Sequence, residues 1–293
     1  MTNRNEGGDE PERLSVIGLG KLGSCMAAVF AAQGYEVVGL DVDPDTVEAV
    51  AQGRAPVPEP QLQDTIDRAE GRLTATLDYE EAVQGTDASF IIVPTPSKDD
   101  GSFALDYVLD AGRSIGKALA KKEGYHLVVL TSTVLPGSTQ HGLQEVIEEA
   151  SGKECGEDFG LCYSPEFIAL GSVIQDMLEP DMVLIGESDS HAGDLLARIY
   201  QRTCTNDPPI QRMNFVNAEL AKIALNTFVT TKITFANILA ETCENLPGAD
   251  VDDVTRALGK DTRIGPTYIK GSVGYGGPCF PRDNVALSYL LDG

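Results

Sequence analysis

Basic residues are scarce in this chain. Lysine and arginine total 22 against 45 aspartates and glutamates, a formal charge of −23 over 293 residues. A nucleic-acid binder needs a basic footprint, and an anionic membrane surface attracts basic segments, so both partners are excluded as expectations. Histidine is scarcer still: His126, His141 and His191 stand in no metal-ligand spacing, which argues against a histidine metal site or a Ser-His-Asp triad. The six cysteines (25, 155, 162, 204, 243 and 279) contain no CxxC pair. They read as free thiols of a reducing compartment, not as a disulfide framework. No uninterrupted apolar run approaches the ~18 residues of a membrane span, and Met1 to Glu12 lacks the apolar core of a signal peptide. That segment reads as a disordered tail and the protein as cytoplasmic. The acidic excess suits a surface adapted to high salt, with an ordinary acidic cytosolic protein as the alternative. Hydrophobic residues at 42% and charged ones at 23% describe an ordinary globular protein, with a length suggesting two domains.

The first part alternates strands and helices. Strand-like runs are Leu14–Ile17, Val37–Leu40, Ala88–Val93, Leu127–Leu130, Phe159–Tyr163 and Met182–Ile185; helical patterns are Ser24–Gln33, Asp45–Gln52, Leu105–Ala120 and Leu143–Ala150. This alternation predicts an α/β fold, a Rossmann-like doubly wound parallel sheet over residues 13–207. Ligands of such sheets bind beyond the carboxyl ends of the strands. Those ends carry Gly18, Asp41, Pro94-Thr95, Thr131–Thr133 and Ser164–Glu166. Pro208-Pro209 reads as a linker to an all-α domain over 208–293, dominated by one helical pattern from about Met213 to Asn245. Its length, roughly 45 Å, predicts a domain spine or a packing surface for another chain. A second helix is expected from Asp250 to Leu258, and another beginning near Asn284.

Gly18-Leu19-Gly20-Lys21-Leu22-Gly23 follows a strand and opens a helix. The glycines permit a tight turn and close approach of a pyrophosphate, which the helix N-terminus then meets with free N–H groups. Asp41 ends the second strand, 18 residues after Gly23, where a carboxylate accepts from ribose hydroxyls and repels a 2′-phosphate. The expected cofactor is NAD. On the long helix Glu219, Lys222, Asn226, Thr230 and Asn237 share one face. That stripe is either a solvated face or a functional one. The segment Gly274-Tyr275-Gly276-Gly277-Pro278-Cys279-Phe280-Pro281-Arg282-Asp283 sets a cysteine in a glycine-rich loop beside a cation. There Cys279 reads as a nucleophile, the other five cysteines as buried structural residues.

Together with Glu59-Pro60, Val93-Pro94-Thr95-Pro96, Ser132-Thr133-Val134-Leu135-Pro136-Gly137, Ser164-Pro165-Glu166-Phe167 and Asp261-Thr262-Arg263-Ile264-Gly265, these segments make residues 13 to 293 resemble the UDP-glucose/GDP-mannose dehydrogenase family. The resemblance implies oxidation of a nucleotide-activated sugar, of UDP-glucose or UDP-N-acetylhexosamine type, at C6 from alcohol to carboxylate with two NAD. A cysteine thiohemiacetal and thioester carry the second stage. It implies Cys279 as nucleophile, Lys222 and Asn226 as oxyanion stabilisers, Asp283 and Thr133 as water-positioning or proton-transfer groups, and Glu166 close to the sugar. Gly18, Gly20, Lys21, Leu22, Gly23, Asp41, Thr95 and Thr133 would bind the cofactor. Phe167, Tyr275, Gly276 and Gly277 would line the sugar, and Arg263 would reach the active site of a second subunit in a homodimer built on the 213–245 helix. No metal is implied.

The chain departs from the family pattern at Leu170, where an acid is usual, and at Thr131 and Arg282, where lysine is usual. The family also has a third, C-terminal domain for the nucleotide end of the substrate, so the expectation is a truncated chain or a separately supplied domain. Two other readings stand beside this one. A β-hydroxyacid-type dehydrogenase shares the helix lysine without the loop cysteine, and a non-catalytic NAD-binding dimerisation fragment would need neither.

Overall fold

In the computed structural model, residues 11–292 are described. The first ten positions of the expected tail lie outside them. The chain runs β1 (Arg13–Ile17), α1 (Lys21–Ala32), β2 (Glu36–Leu40), α2 (Pro44–Ala51), α3 (Leu62–Arg68), β3 (Leu73–Thr76), α4 (Tyr79–Gln84), β4 (Ala88–Ile91), α5 (Asp106–Leu119) and β5 (His126–Leu130). A π-helical turn, Thr139–Gln144, leads into α6 (Glu145–Ser151). Then follow β6 (Phe159–Tyr163), α7 (Val173–Leu178), β7 (Val183–Glu187), α8 (Ser190–Thr203), β8 (Ile210–Met213), α9 (Phe215–Glu244), α10 (Val251–Leu258) and α11 (Cys279–Asp292). Four aspartates, Asp43, Asp78, Asp189 and Asp250, cap α2, α4, α8 and α10 by accepting N–H bonds in the first turn. Part of the acidic composition is thus spent on helix starts, each cap being worth about 1 kcal/mol.

The eight strands form one sheet in the order β3-β2-β1-β4-β5-β6-β7-β8. The order reverses between β1 and β4, the switch point where a dinucleotide is expected to sit. Strands β1 to β6 are parallel, as the alternation predicts. β7 is not: it pairs antiparallel with β6, Cys162 opposite Glu187, and β8 runs parallel to β7. Strand direction leaves no mark in a fully buried apolar run, so the sequence could not show this reversal. Pro208-Pro209, read as a linker, leads into the edge strand β8, which still belongs to the sheet. The sheet's core is apolar and aromatic. Phe30 of α1 packs against Phe90 of β4 at 4.9 Å between ring centres, and nine consecutive residues of α1, Gly23 to Ala31, are buried.

Two compact units make up the chain. One holds residues up to Pro96 with Ala104–Glu219; the other holds Ser97–Phe103 with Leu220 onward. The short segment 97–103 therefore leaves the sheet unit and returns to it. α9 begins in the first unit and continues in the second. Its shared polar face is buried: Glu219, Lys222, Asn226 and Thr230 are all enclosed. Its apolar side chains Val216, Leu220, Phe228, Phe235 and Ile238 are exposed instead, Phe228 by 66%. Phe215, Ile223, Val229 and Ala236 are buried too, so α9 has a covered face of mixed polarity and an exposed face rich in apolar side chains, unlike a helix on a single folded chain. This exposed stripe also makes α9 long and apolar enough to cross a membrane by length and composition, with a mean hydropathy of 1.3 over 18 residues. Polar residues interrupt this stretch, so it forms no continuous apolar run.

Candidate active site

In the sheet unit the glycine loop is built as its spacing predicts, and each glycine answers a different constraint. Gly18 has φ +96°, and a Cβ there would collide with the carbonyl oxygen of Ile92. A Cβ at Gly23 would collide with the carbonyl of Gly18, so these two glycines close the turn and seat α1. Gly20, the cap of α1, has extended backbone and nothing within 4 Å of where a Cβ would stand. Its reason for being glycine lies outside the chain, in the space that an approaching ligand occupies. Lys21 and Leu22 start the helix, and no acidic residue lies in its first turn to oppose an anion. Gly20→Ala is therefore expected to fold with unchanged melting temperature while binding NAD at least ~10-fold more weakly. Gly23→Ala should lose on the order of 1–3 kcal/mol of stability by overpacking. Thermal melts and NAD titrations check both.

Asp41 ends β2 half-buried, and its carboxylate spans the loop: Oδ2 accepts from Leu19 N at 2.6 Å and Oδ1 from Asp43 N at 2.9 Å. Glu59 belongs to the Glu59-Pro60 motif. Its buried side chain accepts from Gly171 N at 2.7 Å and lies 3.8 Å from Lys21 Nζ, so it joins the glycine loop to the segment after Phe167. Val42 and Leu77, exposed by 85% and 55%, follow the neighbouring strands β2 and β3 at the same edge. They are apolar where an exposed loop needs nothing apolar. Sequence reasoning passed over them because single exposed apolar residues carry no pattern.

Beyond β4 and β5 the chain is tied to itself. Thr95 Oγ1 donates to Thr133 O at 2.7 Å, and Ser132 Oγ bridges Val93 N and O at 2.9 and 2.7 Å. Glu219 anchors the end of this segment, accepting from Gly137 N at 2.6 Å and Thr139 N at 2.8 Å. Burial pushes the Glu219 carboxyl up, and those hydrogen bonds pull partly the other way. Past β6, Glu166 and Phe167 are half-buried, and Glu166 Oε1 accepts from the Tyr200 hydroxyl at 3.2 Å. Tyr200 lies on α8, a helix absent from the sequence reading. Its signal was available in Leu195, Leu196, Ile199 and Tyr200, one apolar face at helical spacing.

In the helical unit the loop cysteine is better described as a helix start. Cys279 is the first residue of α11, five residues earlier than the sequence placed that helix. Pro281 suggests a loop, but proline is tolerated in a helix's first turn. Cys279 is the exposed cysteine of the six; burial pushes Cys155 to about 11 and Cys25 and Cys204 to about 12, and Cys162 higher still. Those four thiols are inert at neutral pH. Four residues on, Asp283 is fully enclosed, with Oδ2 accepting from Asn226 Nδ2 at 2.6 Å and Oδ1 from Arg282 Nε at 3.1 Å. The Arg282 guanidinium also lies over the Phe103 ring, 4.6 Å from its centre. Lys222 is buried one helical turn before Asn226. Sequence distance hid the Asn226–Asp283 pair, 57 positions apart.

Other predicted residues are placed differently. Arg263 is exposed, and its guanidinium donates to both oxygens of Asp261 within one turn, at 2.9 and 2.6 Å. Gly276 and Gly277 stand in open space, Gly277 with φ +80°, and Tyr275 meets Phe280 edge-on at 6.3 Å. Leu170, in the place of the usual acid, is 63% exposed.

Comparison with known proteins decides the lineage. Models of the UDP-glucose/GDP-mannose dehydrogenase family match twice, the NAD binding domain over residues 12–204 and the central domain over 216–292. The chain belongs to this family. Among its relatives, the UDP-glucose 6-dehydrogenase AglM of Haloferax volcanii is 40% identical over 277 residues, covering 94% of this chain and 64% of that protein. A UDP-glucose dehydrogenase structure from the archaeon Pyrobaculum islandicum superposes with a TM-score of 0.88 at 39% identity, covering 99% of this chain and 66% of that one. A ternary complex of GDP-mannose dehydrogenase from Pseudomonas aeruginosa superposes with a TM-score of 0.81 at 37% identity, over 96% of this chain and 64% of that one. This chain thus spans a little under two thirds of the length of such family members. The cofactor of the family's first domain is NAD, and the residues here fit it. Gly20 leaves open space before a helix start without acids, and the Asp41 carboxylate lies beside the glycine loop.

Proposed function

We propose that this protein carries the oxidising half of a nucleotide-sugar 6-dehydrogenase, converting the C6 alcohol of a UDP-sugar to a carboxylate. The observation that carries this reading is an exposed cysteine opening a helix whose next turn holds an enclosed aspartate bonded to Asn226, in a chain with an NAD-binding domain. A simple alcohol dehydrogenase has no use for that thiol. Oxidation past the aldehyde does, because an aldehyde gives up no hydride readily until an addition makes its carbon tetrahedral.

Bound NAD supplies the hydride acceptor for both oxidations. Gly20 and the start of α1 would hold its pyrophosphate, Asp41 would accept from the adenosine ribose, and Val42 and Leu77 would flank the adenine. Thr95 and Thr133 line the nicotinamide side, and Glu166 and Phe167 meet the sugar, with Tyr275, Gly276 and Gly277 around it. Cys279 Sγ adds to the aldehyde carbon, giving a thiohemiacetal whose second oxidation yields a thioester. Lys222 and the second amide hydrogen of Asn226 stabilise the oxyanion at each addition. Asp283 and Thr133 direct the water that releases the acid. Asp41→Ala should weaken NAD binding by about 10-fold, a charged hydrogen bond's worth. Unchanged affinity by calorimetry would count against the ribose assignment.

The exposed apolar side chains of α9 support a second part of the reading. A stripe of Val216, Leu220, Phe228, Phe235 and Ile238 left facing solvent is the side of a homodimer interface. In that dimer Arg263 serves the second subunit's site. Light scattering at micromolar concentration should give twice the chain mass of 31.2 kDa; a monomer refutes it.

A further inference from the structure

The Ser164–Phe167 segment is gripped from behind by one phenol. Tyr200 sits on the buried face of α8, and its hydroxyl donates to Glu166 Oε1 at 3.2 Å while accepting from Ser164 Oγ at 3.0 Å. Ser164 Oγ in turn lies 2.9 Å from Leu184 O of β7. The end of β6, the reversed strand β7 and α8 thus converge on a single carboxylate. Burial, and then the charge of Glu166, push the Tyr200 phenol well above its ordinary range. It therefore stays protonated and can act only as a donor to the carboxylate. The Cys204 thiol also feels the Glu166 charge; it is held at about 12 and so neutral through the working range.

We propose that Tyr200 is the positioning residue of Glu166, fixing its carboxylate by one oxygen and favouring the ionised form at the substrate edge. The inference rests on Glu166 acting at the sugar, as proposed above. Hydrogen bonding to the charged form of a carboxyl favours that form, and the hydroxyl of Ser164 strengthens the phenol as a donor by polarising it. Tyr200→Phe removes both hydroxyl contacts and keeps the ring, so it isolates the bonding from the packing.

The test combines titration with kinetics. In protein labelled with 13C-glutamate, the Glu166 carboxyl resonance is identified by its loss in Glu166→Gln and titrated in the parent chain and in Tyr200→Phe. The Tyr200→Phe variant should raise the Glu166 midpoint by about one pH unit, tenfold in its ionisation constant. With NAD and UDP-glucose or GDP-mannose, kcat should fall about 10-fold with KM within twofold, and the acid limb of the kcat profile should move up with the midpoint. In a Glu166→Gln background Tyr200→Phe should add no further loss. An unmoved midpoint, or an equal loss in both backgrounds, overturns the proposal. Should Tyr200→Phe fail to fold, Ser164→Ala leaves the phenol in place and should raise the midpoint by a smaller amount; no change overturns it. If the parent chain oxidises neither sugar, the functional reading fails, while the midpoint still decides the role of Tyr200.

Discussion

Cys279→Ser should abolish acid formation, lowering it by on the order of 10³-fold or ~4 kcal/mol in barrier, while leaving NAD binding untouched. The thiol is exposed at the first position of α11, so its loss removes no core packing, and the exchange of sulfur for oxygen leaves the glycine loop unchanged. A serine hydroxyl is a far weaker nucleophile at neutral pH without an adjacent base. The variant should still oxidise the alcohol once, and a trapping reagent for aldehydes should then collect a product absent from the parent reaction. Acid formation at the parent rate would reject the thioester route and favour a β-hydroxyacid-type dehydrogenase, which uses a helix lysine and no cysteine. NAD binding without turnover in the parent chain itself would favour the dimerisation fragment.

The second large effect concerns acid. His126 opens β5 entirely enclosed, with Nε2 2.9 Å from Ser89 Oγ, which is itself 2.7 Å from Ser15 Oγ on the neighbouring strand. Burial lowers its imidazole from 6.5 to about 3, with the nearby Lys122 and Lys153 ammonium groups adding in the same direction. The unfolded chain therefore binds a proton that the folded chain refuses. The associated stability is fully present above pH 6.5 and is lost as pH falls toward 3. The full span is worth on the order of 5 kcal/mol, about 2 of it gone by pH 5. His126→Gln keeps a polar partner for Ser89 and removes the titration. Urea midpoints for the variant should decline less steeply than the parent's between pH 6.5 and 5, whatever its stability at pH 7. Parallel declines would show that the imidazole is not responsible.

Much of this was legible beforehand, for identifiable reasons. Gly18, Gly20 and Gly23 could be read because backbone clashes and ligand approach leave only glycine. Asp41 could be read because strand length sets its distance from the loop. The strands β3 and β8 escaped because four residues such as Leu-Thr-Ala-Thr at a sheet edge carry too few apolar positions to form a pattern. The polar stripe on α9 was visible, but not its direction. Spacing assigns residues to one face of a helix and says nothing of which face is covered. Likewise the bonds from Asn226 and Arg282 to Asp283, and from Tyr200 to Glu166, join elements that only the folded chain brings within reach.

The segment Ser97–Phe103 has a practical bearing on how this enzyme family can be taken apart. It lies inside the stretch matched by the NAD binding domain, yet it packs with the helical unit, where Phe103 lies under Arg282 and Gly101 rests on Val285. A fragment cut between residues 204 and 216, where the two domain matches are separated, would strip the helical half of this support. Chimeras that exchange substrate preference between family members would inherit the same mismatch. The seven residues must travel with the helices they touch, as a graft, or Arg282, which bonds Asp283, loses the Phe103 ring beneath it.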